Sequence, residues 1–189
     1  MSFWKKFGDF LKGTSDQKDD PTVVVVTNDE NVPSQKPRVD KMYDLSKILR
    51  SENIATQVKA SSKNEVLKYL ADLAQKNDTD LNAESVYGKL LLREQACPTD
   101  IGDDIALPHI QDESLKELTM LVIKLDESVK WNHHRPVNIV IALLGPDPEP
   151  DYQHVRYLST IARLLMKHDF LKELRRATTK TEIIQLFKK

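Results

Sequence analysis

Three apolar, strand-like stretches crowd into a span of forty residues: Ile105 to Ile110, Leu118 to Leu125 and Val137 to Leu144. Segments of helical periodicity bracket them on both sides, and this order most constrains what the chain can become. Upstream, a short strand at Ile54 to Val58 precedes Ser61 and Ser62, either of which can cap a helix whose Val66, Leu67, Leu70, Leu73 and Ala74 share one face. Residues 82–95 predict a second helix, with Val86, Leu90 and Leu91 inward and Arg93 near its end. Downstream, Pro146, Pro148 and Pro150 close the strand cluster, and helices are expected over about 151–168, 169–177 and 180–187. Val155, Leu158, Ile161, Ala162 and Leu165 mark the buried face of the first of these. Helices on either side of a strand cluster indicate an α/β layer fold with a mixed sheet.

That folded unit is expected to begin near Asp44 and run to residue 189. Residues 13–43 read as a disordered linker, because Asp, Lys, Ser, Thr, Asn, Gln and Pro dominate and bury too little apolar surface to offset ordering. Its exception is Val23 to Val26, a β-prone run whose role is open. Residues 1–12 form a short amphipathic segment: Phe3, Trp4, Phe7, Phe10 and Leu11 recur at helical spacing, with Lys5, Lys6, Asp9 and Lys12 between them. Two readings stand: a handle for a membrane surface or a partner protein, or a tail that packs on its own domain.

The 28 lysines and arginines balance 29 acids, so no global charge excess argues for nucleic acid. A lone Cys97 excludes an intramolecular disulfide framework or a cysteine-based metal cluster, and indicates a reducing compartment. No run of about 18 apolar residues and no secretory signal pattern occur, which points to a cytoplasmic protein, peripheral to the membrane if residues 1–12 bind lipid. Five glycines, scattered at 8, 13, 88, 102 and 145, make no phosphate-cradling loop.

His109 ends an apolar strand directly after Pro108, whose fixed φ helps to present an imidazole at a sheet edge. Taken alone, that also describes a surface or structural histidine. The surrounding pattern says more: Leu90-Leu91-Leu92-Arg93-Glu94, then Thr99, Ile101-Gly102, then Ile105-Ala106-Leu107-Pro108-His109. Further on come Val129-Lys130-Trp131, Arg135-Pro136-Val137, Leu143-Leu144-Gly145-Pro146 and His154 at the start of a helix. Over residues 44–189 this resembles the fructose/mannitol-type enzyme IIA domain of the bacterial phosphotransferase system (PTS), also called EIIA type-2.

The resemblance implies a mixed sheet flanked by helices on both faces. It implies a phosphocarrier, with His109 accepting a phosphoryl group from the carrier protein HPr and passing it to an EIIB domain on a separate chain during sugar uptake, with no cofactor. It implies that Arg93 balances charge on the phosphoryl group, a task suited to a bidentate guanidinium, against the simpler role of a surface salt bridge with Glu94 or Asp103. His154 corresponds to the family's auxiliary histidine, against that of a first-turn polar residue. Thr99 is either a hydroxyl donor to the phosphoryl group or a turn residue. A metal site built on His109 and His154 has no ligand-spaced signature behind it. The adjacent His133 and His134 are expected to face solvent, and Cys97 to sit in the loop before the strand. A nitrogen-related regulatory EIIA, whose phosphorylation state controls partner proteins, and an EIIA-derived interaction module without chemistry are the competing readings.

The run Thr99-Asp100-Ile101-Gly102-Asp103-Asp104 departs from the family's Thr-Gly-x-Gly-x-Gly at Asp100 and Asp104. Two effects are expected: a restricted backbone where φ must be positive, and carboxylates that raise the His109 pKa and repel the phosphoryl group.

Overall fold

The computed structural model describes residues 42–132, 135–148 and 153–188. The amphipathic segment 1–12, the linker through residue 41 with its valine run, and the His133-His134 pair lie outside the described residues.

Among the described residues, five α-helices and six strands form an α/β structure with helices on both faces of one mixed sheet. In chain order they are β1 (Ile54–Val58), α1 (Lys63–Asn77), α2 (Ala83–Ala96), β2 (Asp100–Gly102), β3 (Ile105–Ala106), β4 (His109–Asp112), β5 (Thr119–Lys130), β6 (Pro136–Pro146), α3 (Gln153–Leu165), α4 (His168–Arg176) and α5 (Lys180–Phe187). The sheet order is β1-β5-β6-β3-β2, with β4 also on β6. β1 runs parallel to β5, β5 antiparallel to β6, β3 and β4 parallel to β6, and β2 antiparallel to β3.

Local chemistry sets the helix ends. The Ser62 hydroxyl accepts the Glu65 backbone N–H and starts α1; Asn82 does the same with Ser85 for α2, and Thr179 with Glu182 closes a capping box on α5. Alternation then sorts the core onto two faces. Ile105, Leu107, Met120, Val122, Ile139 and Leu143 pack under α3, α4 and α5, while Ala106, Ile110, Leu121, Ile123 and Val140 pack under α1 and α2.

Two strand expectations need correction. Ile105 to Ile110 is not one ladder: β3 and β4 keep the same register on β6, Ile105 opposite Ile139 and His109 opposite Leu143, but Leu107 and Pro108 interrupt them. Pro108 has no N–H to give, and the Leu107 N–H turns away to the Thr99 carbonyl at 3.0 Å. The expected loop 96–104 contains strand β2, which that same bond and its pairing with β3 hold in place.

Candidate active site

α2 carries Arg93 in its last turn, and β4 opens with His109. By alternation from Ile105 and Leu107, the His109 side chain falls on the sheet face that α3 covers. There, the first turn of α3 brings a buried His154 to a ring-centroid distance of 5.5 Å, the two rings inclined at 53°. Three residues far apart in sequence, Arg93, His109 and His154, thus meet at one end of the sheet.

Hydrogen bonding fixes the state of the His109 ring. Nδ1 lies 3.0 Å from the Leu107 carbonyl, which can only accept, so Nδ1 carries the proton. Arg93 Nε, which can only donate, lies 3.1 Å from Nε2, so Nε2 presents its lone pair. The guanidinium is held in turn, because Nη1 donates to the Cys97 carbonyl at 2.8 Å. Burial, the Arg93 charge and the neighbouring His154 push the His109 pKa down to about 3, against a smaller upward pull from Leu107. Burial and Arg93 bring His154 to about 4. Both rings are therefore neutral at physiological pH, and His109 presents a lone pair on Nε2 in a defined tautomer.

Thr99 is engaged elsewhere. Its hydroxyl, expected as a donor toward a phosphoryl group, is buried and donates to Glu94 Oε2 at 2.5 Å, and its backbone N–H also points at that carboxylate. Sequence reasoning gave Glu94 only the part of a surface partner for Arg93. Only 2% exposed, Glu94 also accepts the Trp131 indole N–H at 2.9 Å and lies 3.6 Å from Lys63 Nζ. One carboxylate thereby ties the end of α2, the start of α1, the end of β5 and the loop that leads to β2. The signal was there to read: Ala83, Val86 and Leu90 step along the buried face, and Glu94 is the next position on it. Neither acid suggested as a surface partner for Arg93 plays that part in the contacts described, since Asp103 Oδ1 is paired with Arg175 at 3.3 Å.

The aspartates of the departing loop also find definite roles. Gly102, Asp103 and Asp104 have φ of 97°, 53° and 62°, so Asp103 and Asp104 are the two left-handed residues of a tight hairpin turn between β2 and β3. Aspartate tolerates that conformation better than most side chains. The Asp104 carbonyl accepts the N–H groups of Asn138 and Ile139, which pins the turn to β6. The Asp100 carboxylate turns to Arg135 at 3.6 Å. Contrary to the expected upward shift, the His109 pKa is depressed by burial, Arg93 and His154, the upward pull comes from Leu107, and neither Asp100 nor Asp104 is among the causes.

The site can take an electrophile at Nε2, keep Nδ1 protonated on a carbonyl, and meet an anion with a guanidinium. Among the described residues, no group of three or more His, Cys, Asp or Glu is arranged to hold a metal ion.

In sequence and in fold the chain is similar to known proteins. The chain is 28% identical over 151 residues to a nitrogen regulatory protein of Klebsiella oxytoca, covering 78% of this chain and 91% of that one. It is 26% identical over 143 residues to the mannitol-specific phosphotransferase enzyme IIA component of Bacillus subtilis, covering 74% and 96%. In fold it matches the crystal structure of the nitrogen regulatory protein IIA-Ntr of Neisseria meningitidis with a TM-score of 0.69 at 22% identity, covering 76% of this chain and 98% of the other. Residues 47–189 match the model of the family described as phosphoenolpyruvate-dependent sugar phosphotransferase system, EIIA 2, and the chain belongs to that family.

Proposed function

We propose that this chain is a phosphoryl carrier that works through Nε2 of His109. The observation that carries the reading is the fixed tautomer: Nδ1–H on the Leu107 carbonyl and a lone pair on Nε2, in a ring kept neutral by burial and by Arg93. The donor is phospho-HPr. As Arg93 Nε leaves Nε2 and turns to the incoming phosphoryl oxygens, the Nε2 lone pair forms a new N–P bond. The donor's N–P bond breaks and its electron pair returns to the donor nitrogen. No proton has to move, because Nδ1 keeps its hydrogen on Leu107, whose carbonyl stabilises the positive charge that develops on the ring. Arg93, still anchored through the Cys97 carbonyl, meets the phosphoryl charge bidentately, and His154 packs beside the ring as the auxiliary histidine. An EIIB domain on a separate chain then receives the group, the route that serves sugar uptake.

A regulatory output of the same chemistry is the second reading, in which the phosphorylation state of His109 sets the binding of other proteins. The nitrogen regulatory protein of Klebsiella oxytoca, 28% identical against 26% for the mannitol component, favours it slightly. Incubation with enzyme I, HPr and labelled phosphoenolpyruvate tests the shared chemistry. Acid-labile label is expected on the wild type and not on His109→Ala; equal labelling of both, or of neither, would defeat the assignment. Addition of EIIB separates the outputs, since loss of label to EIIB supports transport and retention supports regulation.

A further inference from the structure

Two charged side chains of α2 reach β4, the strand that carries His109. Arg93, in the last turn of the helix, places Nε 3.1 Å from Nε2 of His109 at the start of the strand. Lys89, four residues earlier, pairs its ammonium with the carboxylate of Asp112 at the strand's other end. At that spacing Lys89 and Arg93 share one face of the helix, about 6 Å apart along its axis. Their partners are about 10 Å apart along the strand.

Alternation makes the two contacts unequal. Ile110 is buried in the core beneath α1 and α2, and Asp112, two residues on, points to that same side, toward the helix. His109 points to the opposite side, where His154 lies, so Arg93 has to reach past the strand to meet Nε2. Lys89 to Asp112 is therefore the direct polar tie between α2 and β4, and the reach of Arg93 depends on where that tie holds the helix. Glu94 does not replace it, because its partners Thr99, Trp131 and Lys63 lie on other elements.

Asp112 is a fixed point. Its side chain is only 7% exposed, Oδ1 accepts the Ser114 N–H at 2.9 Å and the Ser114 hydroxyl, and Oδ2 faces Lys89. Its carbonyl accepts the N–H groups of Leu115 at 3.1 Å and Asp147 at 3.2 Å, which tie it to the following turn and to the end of β6. A carboxylate this buried is costly without a cation, so it holds Lys89 firmly. Lys68 and Glu84 pair at the other end of α2 with both side chains well exposed, where water weakens the attraction.

We infer that Lys89 is a positioning residue: its ion pair with Asp112 fixes α2 along β4 and so sets the reach of Arg93 to Nε2 of His109. Its effect on transfer rests on the carrier reading; the placement of Arg93 does not.

The test follows the His109 ring by NMR titration of the full chain, alongside the rate of labelling by enzyme I, HPr and labelled phosphoenolpyruvate. Arg93 is among the causes that set the His109 pKa, whereas Lys89 and Asp112 are not, so a change on Lys89→Met reports displacement of the guanidinium. Lys89→Met is expected to raise that pKa above about 3 and to slow labelling about tenfold, within the cost of a 1 Å misplacement. Lys89→Arg, which keeps a cation for Asp112, is expected to stay within about twofold of the wild type. In an Arg93→Gln background, Lys89→Met is expected to add nothing, since both changes act through one contact. Lys68→Met, which removes the ion pair from the other end of α2, is expected to match the wild type. Lys89→Met/Asp112→Asn leaves no buried charge unpaired and decides the matter by the same readouts if the single variant fails a circular-dichroism melt.

An unchanged His109 pKa, an equal change in Lys68→Met, or a full effect of Lys89→Met without Arg93 would overturn the assignment. So would a shifted pKa with labelling at the wild-type rate. Absence of label on the wild type would defeat the carrier reading instead, and the titration would still decide what places Arg93.

Discussion

Arg93 Nε donates to Nε2 of His109 at 3.1 Å, so the cation that lowers the pKa of this ring also occupies the lone pair that would attack. In the proposed transfer, the imidazole and the guanidinium are thus paired in the resting site and separate for transfer to begin. Arg93→Gln is expected to raise the His109 pKa above about 3 while phosphoryl acceptance falls by roughly 10- to 100-fold, the scale of a lost charge-assisted hydrogen bond. Titration of the ring by NMR, alongside the labelling rate, checks both. An unchanged pKa would break the link between the two residues.

Acid sensitivity follows from the same burial. A histidine whose folded pKa lies below its unfolded value binds its proton more readily when unfolded, so its contribution to stability is complete above about pH 6.5 and is lost as pH falls toward the folded value. For His109, with a folded pKa of about 3, the loss at pH 4 is roughly 3 kcal/mol, and His154, at about 4, adds to it. Urea unfolding at pH 7 and pH 4 should show a smaller drop for His109→Gln/His154→Gln than for the wild type. The same drop in both would show that the imidazoles are not the acid-labile groups.

Glu94 makes the most concentrated set of polar contacts near the site, and removing it leaves the Thr99 hydroxyl and N–H, the Trp131 indole N–H and Lys63 without their shared acceptor. Glu94→Ala is expected to cost on the order of 3 kcal/mol, and Glu94→Gln less, since it retains one acceptor. Because the Thr99 carbonyl holds the Leu107 N–H, and the Leu107 carbonyl holds Nδ1 of His109, the damage should reach the ring as a shifted His109 pKa. Loss of stability without that shift would make Glu94 a core residue only.

Asp104 sits at φ 62°, where glycine is at no steric disadvantage. Asp104→Gly is expected to change stability by less than about 1 kcal/mol in the favourable direction, relief of the left-handed strain being offset by a freer unfolded chain. Phosphoryl acceptance should stay within about twofold, since the carboxylate is not among the causes of the His109 pKa. A large gain in rate would show instead that Asp104 repels the donor's phosphoryl group.

Much of this protein is legible in its sequence, because local chemistry decides it. Periodicity at Val66, Leu67, Leu70 and Ala74 and the cap at Ser62 set α1 within a single window of residues, and β1 forms at the residues where it is expected. His109 is singled out by the resemblance that the ordered motifs from Leu90 to His154 carry, the Leu-Pro-His run by itself fitting a structural histidine as well. What sequence leaves undecided depends on partners that no local window contains. His109 needs Arg93 and His154, 16 residues before it and 45 after; Glu94 finds Trp131 at a separation of 37; and Leu107 gives its N–H to Thr99 in a segment that reads as loop. Thr99 and Asp104 both look polar and available in sequence, yet one is sealed onto a buried carboxylate and the other holds a turn against β6. The sequence by itself thus determined most of the elements and singled out His109 as the candidate imidazole. Only tertiary structure, by removing water from that imidazole and setting a guanidinium on Nε2, decided its charge and tautomer.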